Sequence, residues 1–158
     1  MRVPNRRDLV ASPASFIAFG AGLGLAPVAP GTFGTLLGIP LLFLMPSALP
    51  AYLVVTLLLF LLGVWCCGQA SRSLGVHDHG SIVWDEVVGY LVTMAAVPRS
   101  WPWVIAGFLV FRLFDVLKPP PIRTVDAKVH GGFGIMLDDL IAALMSLVLM
   151  QLLVWLWR

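Results

Sequence analysis

The chain has 158 residues, enough for one domain, and 59% of them are hydrophobic while only 11% are charged; soluble domains average about 25% charged residues. With a mean hydropathy of +0.96 and a formal net charge of +2, a disordered chain, an enzyme with an ordinary charged surface and a solvated nucleic-acid binder are excluded. The composition predicts one integral-membrane domain over residues 1–158, with lipid as its covering partner.

In chain order, Arg2, Arg6 and Arg7 open the sequence. They resemble the basic start of a signal peptide, but the apolar stretch behind them is cut by Pro13, Gly20, Gly22, Gly24 and Pro27, so no cleaved signal is expected. The stretch Phe16–Pro30 reads as a broken element, re-entrant or interfacial, tolerable only where protein or water covers its backbone. The spacings Gly20/Gly24 and Gly34/Gly38 read as small-residue helix-packing positions. Phe33–Met45 is a short crossing candidate. The 18-residue runs Ala51–Gly68 and Leu140–Trp157 carry no charge and are strong crossing candidates. Ile82–Val97 and Trp101–Leu117 reach a crossing length only if Asp85, Glu86, Arg112 and Asp115 sit near helix ends at one interface. The fold class is therefore all-α, a polytopic helical membrane bundle of about five helices. Pro46–Pro50 and Pro98–Pro102 are short turns, and Gln69–Ser81 and Pro119–Leu137 are longer polar connections.

Charge sets the sidedness. With the N-terminus in the cytoplasm, Arg2, Arg6, Arg7, Arg72, Arg112, Lys118, Arg123 and Lys128 fall on that side, and only Arg99 and Arg158 on the other. All the acids join the larger group, so the bundle has one charged, cytoplasmic end.

A charge in lipid costs about 2.5–3.5 kcal/mol on insertion scales, so the acids mark the place to look for function. His77-Asp78-His79 leads to the adjacent carboxylates Asp85 and Glu86, followed one turn later by Gly89, which would admit a close backbone approach. These acids also suit a plain helix start. Arg112, Asp115 and Lys118 share a helical face. Pro119 ends that helix, and the prolines after it extend the chain toward Arg123. The three cations suit a phosphate, or else form a structural ion pair with Asp115. Asp126 and His130 precede Gly131, Gly132 and Gly134, where backbone could approach a phosphate, and then the pair Asp138 and Asp139. Asp85, Glu86, Asp115, Asp138 and Asp139 thus converge from three helix ends. Such crowding is resolved by one or two divalent cations bridging to phosphate, and Mg²⁺ is a hard cation that takes carboxylate ligands. The metal shell is expected from Asp85, Glu86, Asp138 and Asp139. His77, His79 and His130 are secondary candidates as ligands or proton carriers.

Two motifs are decoys. Cys66–Arg72 has the Cys-x5-Arg spacing of thiolate phosphatases, but Cys66 ends an apolar run with no strand before it, so both cysteines are expected to be packing residues. Gly20–Gly24 lacks the strand–helix setting of a dinucleotide site.

At these blocks the sequence resembles the phosphatidylglycerophosphatase A family of bacterial inner-membrane lipid phosphatases. The resemblance runs from about Gly20 to Ala143. It is carried by Pro27, Pro30, Gly31, Thr32 and Gly34, by His77–Glu86, by Phe111–Arg123 and by His130–Asp139. It implies Mg²⁺-dependent hydrolysis of phosphatidylglycerophosphate to phosphatidylglycerol and phosphate in phospholipid synthesis. It also adds Thr32 and Asp78 to the secondary site residues. Arg112, Lys118 and Arg123 are the expected phosphate contacts. A water nucleophile and an aspartate nucleophile both fit this chemistry. The competing readings are a Mg²⁺-dependent lipid phosphotransferase and a membrane cation transporter that uses the acids.

Overall fold

The computed structural model describes residues 4–157, without the side chain of Asp126; Arg2 and Arg158 of the charge count lie outside the described residues. Among the described residues every regular element is helical: α1 (Arg6–Val10), α2 (Pro13–Ala18), a 3₁₀ segment (Gly20–Leu25), α3 (Pro30–Leu44), α4 (Leu49–Leu74), α5 (Trp84–Thr93), α6 (Trp101–Leu117), α7 (Ile122–Lys128) and α8 (Gly131–Trp157).

Local chemistry explains the ends of these helices. Asn5 and Asp8 form a reciprocal capping box on α1. Ser12 caps α2 by accepting the Ser15 N–H at 3.0 Å. A proline sits in the first turn of α3, α4 and α6, where its missing N–H costs nothing. The polar residues Gln69–Leu74 do not end α4, contrary to the expected loop; the left-handed Gly75 does, at φ +68°, with Val76 N–H closing onto the Ser71 carbonyl. Likewise Pro119–Leu137 is mostly helical, in α7 and the start of α8. The prolines 119–121 do not form an extended rod, because Ile122 N–H donates to the Pro119 carbonyl at 2.9 Å and bends the segment into a turn.

Helices α4 and α8 have 26 and 27 residues and, among the described residues, are the two long and apolar enough to cross a membrane. At 1.5 Å per residue each is about 40 Å long, beyond the ~30 Å of bilayer hydrocarbon. Their outward sides carry exposed Leu57, Leu61, Trp65, Val148, Leu152 and Trp155, a belt that water would not tolerate. Helices α3, α5 and α6 have 15, 10 and 17 residues, so helix length alone supports two crossings rather than the five expected. Helix α5 stops short because the chain turns after Thr93, with Ala96 at φ +58°.

Short as it is, α5 is the centre of the bundle. Seven of its ten residues are buried, and α3, α4, α6 and α8 pack around it. Tyr52 of α4 donates to the Leu91 carbonyl at 2.6 Å, and Tyr90 donates to the Val104 carbonyl of α6 at 3.1 Å. Gly34 and Gly38 bring α3 onto α5, as their spacing predicts: a Cβ at Gly38 would stand 2.8 Å from the Tyr90 ring. Gly20 and Gly24 do not form such a helix face. They lie in a kinked segment where Gly20, Ala21 and Gly22 all have positive φ, so the broken element expected over Phe16–Pro30 is present.

The glycines before Asp138 belong to α8 rather than to a phosphate loop. Gly132 meets α4 backbone to backbone, and a Cβ there would lie 2.7 Å from Gly68 N and overlap the Val64 carbonyl. Backbone cannot yield as a side-chain tip can. Gly132→Ala is therefore expected to lower unfolding stability in detergent by about 1–3 kcal/mol, whereas Gly80→Ala, with open space around its Cβ position, should stay within about 0.5 kcal/mol. Equal melting behaviour of the two variants would refute the α4–α8 contact.

Candidate active site

Three helices meet at one end of the bundle. Asp85 and Glu86 occupy the first turn of α5, where the free N–H groups favour acids. Arg112 and Asp115 lie in the last turns of α6, and Lys118 is its C-cap in the left-handed conformation, at φ +42°. Asp138 and Asp139 lie two turns inside α8 rather than at its start, because that helix begins at Gly131. The N-terminus of α3 closes the fourth side with Ala29, Pro30 and Gly31. The enclosed pocket has a volume of about 330 Å³, the lower end of the range for small-molecule sites.

Asp85, Asp115, Asp138 and Asp139 are all under 9% exposed. One oxygen from each of Asp85, Glu86 and Asp139 lies within 4.8 Å of the other two. At an effective dielectric near 20, two unit charges at that distance repel by roughly 3.5 kcal/mol. Asp85 Oδ1, Glu86 Oε2, Asp138 Oδ1 and Asp139 Oδ2 are buried and accept no hydrogen bond among the described residues. An all-oxygen set of this kind fits a hard divalent cation.

The fourth expected ligand, Asp138, lines the same pocket with one buried oxygen that has no donor, Oδ1, and one that meets a cation. Asp138 Oδ2 accepts from Lys118 Nζ at 2.6 Å. Asp115 forms a close ion pair with Arg112, whose guanidinium also stands 3.8 Å from Glu86. Asp85, Glu86 and Asp139 thus face one another, while Asp115 and Asp138 lie beside them and each also holds a cation. Both expected readings of Arg112, ion pair and phosphate contact, are compatible with this arrangement, since Arg112 and Lys118 line the pocket.

The remaining candidates separate further. Asp78 lines the pocket. Arg123 is exposed on α7 and Thr32 is half-buried on α3, and neither contributes to the pocket wall. His79 Nδ1 accepts from Ser81 N–H at 3.1 Å. His77 Nδ1 accepts from Gly131 N–H at 3.2 Å, and its ring lies 4.7 Å from that of His130. These two histidines therefore fasten the start of α8 instead of facing the acids. Gly89 admits first the Phe111 ring, with a Cβ there 2.5 Å from Cζ, and also the backbone of α8, whose Asp139 carbonyl oxygen would stand 3.5 Å from that Cβ. Cys66 and Cys67 are fully buried inside α4, with Cys66 Sγ donating to the Gly63 carbonyl at 3.6 Å and Cys67 Sγ beside Met136 Sδ at 3.9 Å. As expected, they are packing residues.

The sequence profile described as Phosphatidylglycerophosphatase A matches residues 16–154. The chain belongs to the phosphatidylglycerophosphatase A family. It is accordingly an enzyme, a phosphoric monoester hydrolase, and the phosphotransferase and transporter readings give way. Among its relatives, phosphatidylglycerophosphatase A of Escherichia coli K12 is 47% identical over 147 residues, covering 91% of this chain and 85% of that one. The Haemophilus influenzae protein of the same name is 46% identical over 150 residues, covering 92% and 91%. A Bacteroides thetaiotaomicron protein provisionally named a phosphatidylinositol-3-phosphatase is 36% identical over 148 residues, covering 88% and 92%. No solved structure matches the chain.

Gly31 is a site residue that the acid-and-cation search passes over. A Cβ on it would overlap Glu86 Oε1 and lie 3.1 Å from Arg112 Nη1. The hints in the sequence are its place directly after Pro30 at a helix start and its membership of the Pro27–Gly34 motif that carries the family resemblance. Gly31→Ala should push Glu86 away from Asp85 and Asp139, with kcat reduced about 10²-fold while the variant keeps its helical circular dichroism. Wild-type kcat in that variant would show that Glu86 needs no such close approach.

Proposed function

We propose that the protein is a Mg²⁺-dependent phosphatase that releases the terminal phosphate of phosphatidylglycerophosphate at the cytoplasmic face of a bacterial inner membrane. The observation that carries the metal reading is the set of three buried, undonated carboxylate oxygens on Asp85, Glu86 and Asp139. These three residues would hold the ion. Bound Mg²⁺ supplies Lewis-acid charge to phosphate oxygens and acidifies water.

The chain's own residues do the rest. Arg112 and Lys118 receive the anionic monoester and balance charge as it builds on the phosphoryl oxygens. Asp115 and Asp138 keep those two cations oriented and partly neutralised while no phosphate is bound. The N-terminus of α3, fifteen residues long, borders the same pocket through Ala29, Pro30 and Gly31, and its dipole favours an anion there. The head group is supported by the names of the two relatives above 45% identity. The name of the Bacteroides relative favours a phosphoinositide head group instead, and comparing phosphate release from the two lipids decides between them.

Chelation of the purified protein should abolish turnover and Mg²⁺ should restore it. Asp139→Asn should lower kcat at least about 10²-fold, or about 2.7 kcal/mol of barrier. Chelator-resistant release, or near-normal Asp139→Asn, would overturn the metal assignment.

We place the full bundle in the membrane, with α5 enclosed and the exposed apolar side chains of α3, α4, α6 and α8 facing lipid. The charged end then faces the cytoplasm, in keeping with the positive-inside bias. In a Cys66→Ser/Cys67→Ser background, a thiol reagent should label exposed Ser73→Cys only from the cytoplasm and exposed Ser100→Cys only from the periplasm. The reverse pattern would put the pocket in the wrong leaflet for this reaction.

A further inference from the structure

The acid pocket can take a phosphorylated head group, but at about 330 Å³, with carboxylates, a guanidinium and an ammonium in its wall, it is too small and too charged to hold the acyl chains as well. The acyl chains of a lipid substrate must therefore leave it across an apolar wall. One wall leads directly to such a place. Ala29, Pro30 and Gly31 face the acid pocket, while Ala26 and Phe33, on either side of them in the chain, line a second groove of about 810 Å³. Leu9 and Val10 of α1 and Leu23 of the 3₁₀ segment form its other sides.

We infer that this groove is an acyl-chain site. One hydrocarbon chain of the substrate lies between α1 and the 3₁₀ segment, and the monoester phosphate reaches over the N-terminus of α3 to the acids. The inference rests on the lipid-phosphatase reading above.

Three observations carry it. The first is adjacency: Ala26 and Phe33 line the groove while Ala29, Pro30 and Gly31 between them line the acid pocket, so only this short stretch of chain separates the two cavities and a lipid draped over it would reach both. The second is the character of the groove. Val10 is 73% exposed, Phe33 40% and Leu23 38%, and all three line it, so an acyl chain would cover apolar surface that nothing else in the chain covers. Arg6 also lines it, a cation suited to the anionic phosphodiester of a phospholipid. The third is that the groove is built. A five-residue helix has no stability of its own, yet α1 is held by the Asn5–Asp8 capping box. Gly22, at φ +102°, folds the 3₁₀ segment back beneath it, where a Cβ would meet Leu9 Cδ2 at 3.3 Å.

The test fills the groove. Ala26→Trp and, separately, Leu23→Trp are assayed on dioleoyl and dihexanoyl phosphatidylglycerophosphate at matched detergent mole fraction. Both variants should lose at least about tenfold in kcat/KM on the long-chain lipid and stay within about twofold on the short-chain lipid, the discrimination a hydrophobic pocket exerts. Equal loss on both lipids, or no loss on either, overturns the site. A second measurement needs no turnover. A phosphatidic acid with a diazirine at the end of one acyl chain, carried in phosphatidylcholine nanodiscs, is photolysed with the protein and the adducts are mapped by mass spectrometry. Adducts on the peptides spanning Leu9 to Phe33 should appear in the wild type and drop in Ala26→Trp, with labelling of α4 and α8 unchanged. Adducts that do not respond to the substitution would mean bulk lipid only. If the wild type releases phosphate from neither chain length, the head-group assignment fails, and the cross-linking result then decides the acyl-chain site alone.

Discussion

Everything in this structure is arranged around mutual repulsion among carboxylates that the fold buries. Asp85, Glu86 and Asp139 bring oxygens within 4.8 Å of one another in the wall of the pocket. A bundle held only by lipid-facing leucines would open at such a point. Here the surrounding elements oppose it. The acids Asp85 and Glu86 sit in the first turn of α5, on the favourable end of its dipole, Arg112 stands beside Glu86, Lys118 holds Asp138, and the absence of a side chain at Gly31 lets α3 press its positive end against Glu86. The short, enclosed α5 is the element on which the others are set.

The rest of the apolar layer contains almost no such tension. Its hydroxyls are satisfied within their own helices: Thr35 on Gly31, Thr56 on Tyr52, Thr93 on Gly89 and Ser146 on Ala142, each four residues back. At the far end Arg99 donates to the Met45 and Pro46 carbonyls at 2.7 and 2.6 Å and lies over the Tyr52 ring. Among the described residues, the buried side-chain oxygens that lack hydrogen-bond donors are all carboxylate oxygens of the acid pocket. In a bundle that satisfies its polar groups elsewhere, that concentration marks the working site.

Sequence reading and structure agree where a feature depends on residue type and spacing. The uncharged runs, the proline-led helix starts, the broken glycine stretch and the packing role of Cys66 and Cys67 were all legible. The acids and the cations Arg112 and Lys118 were legible as a group, since ionisable residues are rare in so apolar a chain. The partition within that group was not. Asp138 and Asp139 are neighbours in sequence but point about 100° apart on a helix, so one meets Lys118 and the other meets Asp85. Arg123 looked equivalent to Lys118 until the turn at prolines 119–121 carried it onto α7. Gly132 looked like a phosphate cradle because a glycine's sequence context does not reveal whether the backbone approaching it belongs to a ligand or to another helix.

The sequence by itself determined the all-helical class, the membrane-compatible surface, the family and the identity of the charged residues, because hydropathy, helix capping and motif order are local or nearly local properties. Only the tertiary structure decided which carboxylates face one another, which cations they hold, that α5 is a short central helix rather than a full crossing, and that Gly31 belongs to the site. Each of these depends on distances between residues far apart in the chain, here α3 against α5, α5 against α8 and α6 against α8. Those distances follow from how the helices pack together, which is not written in the composition or spacing of any one of them.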